Sequence, residues 1–252
     1  MNGVAAVVYR DYLQRLTNIT FVFWDLLVPL AYFLLFGQGF ERTIGTIAFE
    51  GAQVGYSDFF LAGVLAMATY GIAMNASWTI FMDKDSGVFY ELLTYPITRR
   101  QFLIGKICFN VFLSVGGCVL VILLGAVLMP ITVRWWWLPV TLLIVACTTA
   151  GWFFMFSVWA IRLSRMDMFN TLTSAAYIVL MFLSSMFYPI DHLPLWFQAL
   201  AWLNPMTWQV DVLRFTLLGI GSPVVALVEC ASFVIFTLVC LSLAVRAIDR
   251  AG

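Results

Sequence analysis

Six long apolar runs constrain how this sequence can fold more than any other feature. A helix needs about 20 apolar residues to cross the hydrocarbon core of a bilayer, and six segments reach that length. Charged residues make up 10% of the chain and hydrophobic residues 63%, whereas a soluble domain carries about 25% charged residues. The sequence therefore predicts an all-α membrane protein with six transmembrane helices in one domain, residues 1–252. The predicted spans are 18–36, 59–81, 102–129, 138–161, 168–188 and 223–245.

The distribution of cationic residues predicts which side of the membrane each connection faces. Most of the thirteen Lys and Arg residues lie in or beside the terminal segments and alternate connections. Because Lys and Arg are enriched in cytoplasmic loops, we expect both termini to be cytosolic. The exceptions, predicted to face outside, are Arg42, Arg134 and Arg214. The segments predicted to be cytosolic are 1–17, 82–101, 162–167 and 246–252.

The first 17 residues show the pattern of an amphipathic helix. Apolar residues recur every four positions at Val4, Val8 and Tyr12, and polar residues occupy the other side. This pattern is typical of a helix that lies in the membrane interface. Asp11 and Arg15 stand four residues apart, so we expect them to pair. The alternative is a polar extension of the first span.

The connection 82–101 predicts a short amphipathic helix between spans two and three. Asp85 or Ser86 is the expected N-cap, and Pro96 ends the helix because it disfavours a helical conformation at Tyr95. Thr98 and Gln101 have the spacing of a capping box that starts span three. The apolar stripe of the short helix either enters a groove of a soluble partner or rests on the bilayer. Its residues are Val88, Phe89, Leu92 and Leu93.

The stretch 189–222 predicts two short helices rather than a span. Pro189 and Pro194 interrupt the fifth run, and residues 195–203 are too few to cross a membrane at 1.5 Å per residue. Asn204 is a good cap and Pro205 suits the first helical position. The second helix should run over about 205–218 and end at Gly219 or Gly221. We expect a partly inserted, re-entrant hairpin on the outside. Its interfacial aromatic residues are Trp196, Phe197, Trp202 and Trp208.

Polar residues within the predicted spans are candidates for function, since intramembrane ionisable groups usually face the protein interior. The candidates are Asp25, Asn75 and Glu229, and each either pairs structurally or contacts a substrate. Glu229 is a candidate partner for Arg214. Lys106 lies near the predicted inner interface, where its long side chain can snorkel to water.

The sequence contains no GxxxxGK[ST] motif, because Gly105-Lys106 is followed by isoleucine and lacks the upstream glycine. That motif is the usual loop for cradling a nucleoside triphosphate. If transport is driven by ATP, a separate subunit must supply the ATPase. We therefore expect a non-enzymatic membrane subunit with no cofactor of its own.

The run DKDSGVFYELLTYPITRRQFLIGK resembles the cytoplasmic loop of ABC-2 type transporter permeases. The family pattern is roughly acidic-basic-acidic, Gly, E-x-L-L, Pro, Ser/Thr-Arg and G-K, and Val88 departs from it where Thr is frequent. The resemblance implies that the short helix is a coupling helix seated in a groove of the ATPase subunit. The implied coupling residues are Asp85, Gly87, Phe89, Glu91, Leu92, Leu93, Pro96 and Arg99.

A second stretch, MFYPIDHLPLWFQALAWLNPMTWQVDVLRFTLLG, is similar to the late signature of the same family. That signature reads F-P-x-x-x-L-P-x-W, a spacer, N-P-[LM]-T, then an apolar stretch with Arg and a closing Gly. The resemblance implies that these helices form the outer rim of a translocation path. The implied rim residues are Pro189, Trp196, Asn204, Pro205, Trp208 and Arg214.

The resemblance implies the permease subunit of an ABC exporter in a bacterial or archaeal plasma membrane. Two permease copies would assemble with two ATPase subunits that bind ATP and Mg²⁺. The substrate would be amphipathic, lipidic, drug-like or a glycan, and the sequence does not choose among these. The alternatives are a secondary carrier or channel, and a membrane scaffold that transports nothing.

Overall fold

A computed structural model of the chain describes residues 3–49 and 52–250. The described part is mostly helical, as the long apolar runs predict. The first three helices are α1 (Gly3–Thr17), α2 (Ile19–Tyr32) and α3 (Gln38–Thr43), with a π-helical turn at Phe33–Gly37 between α2 and α3. The remaining helices are α4 (Tyr56–Asp85), α5 (Val88–Leu92), α6 (Arg99–Leu128), α7 (Leu138–Arg162), α8 (Met166–Phe182), α9 (Leu195–Trp202), α10 (Pro205–Leu218) and α11 (Pro223–Asp249), with a 3₁₀ turn at Trp135–Trp137.

Five helical segments in the described part of the chain are long and apolar enough to cross a membrane. They correspond to five of the six predicted spans. The first extends seven residues further than the predicted end at position 36. The sixth candidate, α8, has only 17 residues, about 25 Å at 1.5 Å per residue, against a hydrocarbon core of about 30 Å. The five segments are Val22–Thr43, Tyr56–Asp85, Arg99–Leu128, Trp135–Arg162 and Pro223–Asp249.

The core of the bundle is built around α4, which is buried on nearly all sides. In its most apolar stretch, 83% of the residues lie inside the protein. A helix that is apolar all round is expected at the centre of a bundle. Its neighbours α2, α6, α7 and α10 approach closely because α4 presents small side chains at many contact positions. These include Ala62, Gly63, Ala66, Ala73 and Ala76.

A β-hairpin between α3 and α4 was not predicted from the sequence. Its strands are β1 (Thr46–Phe49) and β2 (Ala52–Gly55), paired antiparallel with Ile47 opposite Val54. Phe49 and Val54 are buried against Phe59 of α4. Strands of four residues are too short to give an alternating pattern, which explains why the all-α prediction missed them.

The first span contains a short irregularity that follows Pro29. Proline has no N–H to donate to the carbonyl four residues earlier, and such interruptions often lead to wider helical turns. The next residues, Phe33–Gly37, form the π-helical turn. Phe33 itself is fully buried, so this part of the span is packed against the protein.

Candidate functional site

The predicted short helix of the 82–101 connection is present as α5, Val88–Leu92. The predicted cap is wrong, because α5 begins after Gly87, which has φ 80° and caps without a side chain. Ser86 instead donates its hydroxyl to the carbonyl of Met82, 2.7 Å away, at the end of α4. A positive φ favours glycine, so Gly87 is what allows the chain to turn from α4 directly into α5.

The α5 segment buries part of the apolar stripe and exposes a mixed polar and aromatic surface. Phe89 is only 4% exposed and meets Phe102 of α6 edge-on, with ring centroids 5.3 Å apart. Leu92 and Leu93 are half-buried and pack against the core. The stripe therefore anchors α5 to its own chain, and other residues form the exposed surface of this segment. We call it the α5 face, and its residues are Asp85, Tyr90, Glu91, Tyr95 and Pro96.

The connection from α5 to α6 is held by the predicted capping box. The Thr98 hydroxyl accepts from the N–H of Gln101 at 3.2 Å, and the Gln101 side chain accepts from the N–H of Thr98 at 3.0 Å. Arg99 donates to the carbonyls of Ile248 and Asp249, at 3.2 and 2.9 Å. Arg99 thus joins the start of α6 to the end of α11.

The other side of the connection is joined to α7. Lys84 donates to the carbonyls of Ile161 and Leu163, at 2.6 and 2.8 Å. These carbonyls lie at the C-terminus of α7, where a cation interacts favourably with the helix dipole. The α5 face is therefore linked to four long helices: α4 and α6 by the chain, α7 by Lys84, and α11 by Arg99.

A largely buried cluster of four charges lies where α1, α4 and α6 meet. We call Arg10, Asp11, Asp83 and Lys106 the four-charge cluster. Lys106 Nζ lies 2.9 Å from Asp83 and 3.5 Å from Asp11, and Arg10 lies 2.5 Å from Asp83. Lys106 is fully buried, so the prediction that it snorkels to water is wrong. The physical reason is that two carboxylates inside the protein already compensate its charge.

A second polar group joins α1, α2 and α4. Arg15 lies 3.1 Å from Asp25, and the Asn75 amide donates to Asp25 at 2.6 Å. The predicted Asp11–Arg15 pair is therefore wrong, since each residue finds a partner on another helix. Asp25 and Asn75 are therefore paired with each other.

Arg214, predicted at the outer rim, is enclosed by the bundle. Its guanidinium pairs with Asp211, donates to the carbonyl of Ser185 at 3.0 Å and lies 3.8 Å from the ring centroid of Phe59. Asp211 is thus a partner that sequence reasoning missed. Glu229 is also buried and lines a cavity of about 20 Å³ with Asp211 and Arg214.

The remaining predicted rim residues lie around α9 and α10. The Asn204 cap is confirmed: its side chain accepts from the N–H of Met206 at 2.9 Å and donates to the carbonyls of Leu180 and Leu183. Asn204 therefore also closes the end of α8. Pro205 opens α10, which ends at Gly219 as predicted. Trp196 is well exposed, Pro189 is half-buried, and Trp208 donates to the carbonyl of Trp202.

A buried amide at the centre of the bundle was not predicted. Gln209 of α10 accepts from Trp152 Nε1 at 2.6 Å and donates to Thr69 and Thr148, at 2.5 and 3.2 Å. It therefore joins α10 to α4 and α7 deep inside the protein. The sequence does contain a signal for this role, because Gln209 stands among apolar residues at helical spacing. A polar residue on a buried helix face needs hydrogen-bond partners.

Comparison with known proteins identifies the family. The profile described as ABC-2 type transporter matches residues 2–218. The chain belongs to the ABC-2 type transporter family. The match runs from α1 to the end of α10, so the family region of this permease contains the α5 face, the four-charge cluster and the α9 and α10 helices.

Two relatives carry names that agree with this assignment. The protein named inner membrane transport permease YadH, of Escherichia coli K12, is 26% identical over 220 residues, which cover 85% of this chain and 83% of YadH. A protein of Cyanophora paradoxa named as a transport permease, ycf38, is 27% identical over 201 residues. That match covers 75% of this chain and 65% of the ycf38 protein, so the permease spans slightly less than two thirds of this relative.

Proposed function

We propose that the permease is the transmembrane subunit of an ATP-driven exporter and that the α5 face docks onto the ATPase subunit. The observation that carries this proposal is the construction of α5. A short helix anchored by Phe89 exposes Tyr90, Glu91 and Tyr95 and is joined by tight turns to two 30-residue helices, α4 and α6. A displacement of α5 would also move α4 and α6, because the turns that connect them to α5 contain few freely rotating backbone torsions.

The proposed membrane placement puts the α5 face, α1 and both termini in the cytosol. Most of the cationic residues lie on that side, in accord with the bias that orients membrane proteins. The exposed indole of Trp136 and the α9–α10 pair then lie at the outer interface. We propose that α8 and the following residues 183–188 complete the sixth span, and that α9 and α10 form a re-entrant hairpin beside the exit of the translocation path.

The proposed assembly contains two permease copies and two ATPase subunits, with ATP and Mg²⁺ bound by the ATPase. The substrate class is an amphipathic, lipidic, drug-like or glycan molecule that leaves the cytosol or the inner leaflet. YadH is named an inner membrane protein, which supports placement in a bacterial or archaeal plasma membrane. Depletion of ATP should stop transport at once, whereas a secondary carrier would stop when the proton gradient is dissipated.

Replacing Glu91 with arginine tests the docking proposal. Glu91 is exposed on the α5 face, so the change should leave folding intact while reversing a charge at the proposed interface. Charge reversal at an interface typically weakens binding by about tenfold or more. We expect a matching loss of ATPase co-purification and of ATP-dependent export in reconstituted vesicles.

The matched control is Asp191→Arg, which reverses another exposed acidic residue at the far end of the protein. It should retain ATPase binding, which is the readout of this control because position 191 lies in the stretch proposed to flank the translocation path. Normal transport by the Glu91→Arg variant, with a normal yield of the complex, would refute docking through the α5 face.

A further inference from the structure

A polar cleft between α1, α4 and α6 has the features of a binding site that the export proposal does not use. The cleft opens to the surface, and its cavity volume is about 50 Å³. It lies beside the four-charge cluster and the Arg15–Asp25 pair. Its walls combine amide, charged and aromatic side chains, among them Asp11, Gln14, Arg15, Trp78, Phe109 and Asn110.

Two buried oxygen atoms at the wall of this cleft accept no hydrogen bond from the described residues: Asn110 Oδ1 and Asp11 Oδ1. Asn110 is 3% exposed, and its amide nitrogen donates to the carbonyl of Lys106 at 2.8 Å. Asp11 Oδ1 has cations at ion-pair distances, 3.5 Å from Lys106 and 3.6 Å from Arg10. Because a buried acceptor without a donor is unfavourable, a ligand that brings N–H groups into the cleft would be stabilised there.

The charges around the cleft favour a zwitterion over a strongly charged ligand. Three cations are balanced by three carboxylates in the surrounding ion pairs: Arg10, Arg15 and Lys106 against Asp11, Asp25 and Asp83. An ammonium group suits the two acceptors and the nearby aromatic rings. Arg15 uses Nη1 for Asp25, and the guanidinium has five N–H donors in all. Arg15 and the Gln14 amide are therefore suited to an anionic group such as a phosphate.

An apolar groove continues from the cleft along α1 and α6. Phe109 lines both the cleft and the groove, and the other groove residues include Val8, Tyr12 and Phe112. Phe112 is 77% exposed on a helix that is apolar enough to span a membrane. A ligand with its polar group in the cleft can thus place hydrocarbon chains in the groove, which a soluble amine cannot do.

We propose that this cleft binds the headgroup of a phospholipid with a primary ammonium, phosphatidylethanolamine. The ammonium donates to Asn110 Oδ1 and Asp11 Oδ1, the phosphate accepts from Arg15 and Gln14, and the acyl chains follow the groove. The choline headgroup has the same charges, but its methylated nitrogen has no N–H to donate. The bound lipid would fasten α1 to α4 and α6, next to α5.

The test compares phosphatidylethanolamine with phosphatidylcholine of identical acyl chains, each titrated against the purified full chain in detergent micelles. Native mass spectrometry reports the bound fraction. We expect the wild-type chain to bind phosphatidylethanolamine about tenfold more tightly, the size of effect that a hydrogen bond between a buried acceptor and a charged donor produces. Asn110→Leu should reduce the preference to about twofold or less, because leucine has a similar volume to asparagine but lacks the hydrogen-bond acceptor.

The matched control is Asn170→Leu, the same substitution at an exposed position of α8, which should keep the full preference. Asn110→Ala removes the same acceptor without adding bulk or charge and should also reduce the preference to about twofold or less, so it carries the test if Asn110→Leu fails to fold. Equal binding of the two lipids by the wild-type chain would overturn the proposal, as would an unchanged preference in the folded Asn110 variants. O-phosphoethanolamine binding as tightly as the lipid would assign the cleft to a soluble amine instead.

Discussion

Replacing Lys106 with methionine is expected to lower the stability of the permease by about 3–5 kcal/mol, the usual cost of removing one partner from a buried ion pair. Lys106 is fully buried and lies 2.9 Å from Asp83 and 3.5 Å from Asp11. Methionine fills a similar volume but leaves two carboxylates facing one remaining cation, Arg10. The measurement is the apparent unfolding temperature and the folded yield in detergent.

Two further variants separate this charge effect from a general effect of substitution. Arg100→Ala breaks the Arg100–Asp249 pair at 2.9 Å, which is largely exposed, and exposed pairs contribute about 0–1 kcal/mol. Lys106→Met combined with Asp83→Asn restores the charge balance of the four-charge cluster and should recover part of the lost stability. A Lys106→Met variant as stable as Arg100→Ala would show that the cluster does not stabilise the fold.

Replacing Gly105 with alanine is expected to destabilise the contact between α1 and α6 by about 1–3 kcal/mol, the usual cost of overpacking. A Cβ atom at position 105 would lie 2.6 Å from Cβ of Val7 and 3.1 Å from the backbone oxygen of Val4. Both atoms are held close to the backbone of α1, so the whole helix must move away. The movement would also pull Arg10 and Asp11 away from Lys106 and Asp83.

Gly116→Ala is the matched control for Gly105→Ala because both glycines belong to α6. A Cβ atom at position 116 meets nothing within 4 Å. Alanine is the better helix former, so this control should be neutral or stabilise by up to about 1 kcal/mol. Thermal unfolding of the two variants, side by side with the wild type, measures the difference. Equal unfolding temperatures would mean that α1 is not held tightly against α6.

Features determined by neighbouring residues were predicted well from the sequence. The Thr98–Gln101 capping box, the Asn204 cap and the end of α10 at Gly219 are all observed. In each case a side chain or a glycine acts on backbone groups only a few residues away. The long apolar runs were also reliable, and the exception is α8, which ends at Phe182, where Asn204 donates to the carbonyls of Leu180 and Leu183.

The partners of buried polar residues were predicted poorly. Asp11 was assigned to Arg15 on its own helix. In the fold, Asp11 faces Lys106 and Arg15 pairs with Asp25. Periodicity shows which face of a helix is polar, but it does not show which other helix that face meets.

The sequence by itself determined that this is a helical membrane protein with a short helix between two long spans, because length, hydropathy and capping act locally along the chain. Only the tertiary structure decided that Phe89 anchors α5 while Tyr90 and Glu91 face outward, and that Lys106 is buried among carboxylates. The reason is that burial and charge compensation depend on how distant helices pack, and Arg10 and Asp83 meet across 73 positions of sequence.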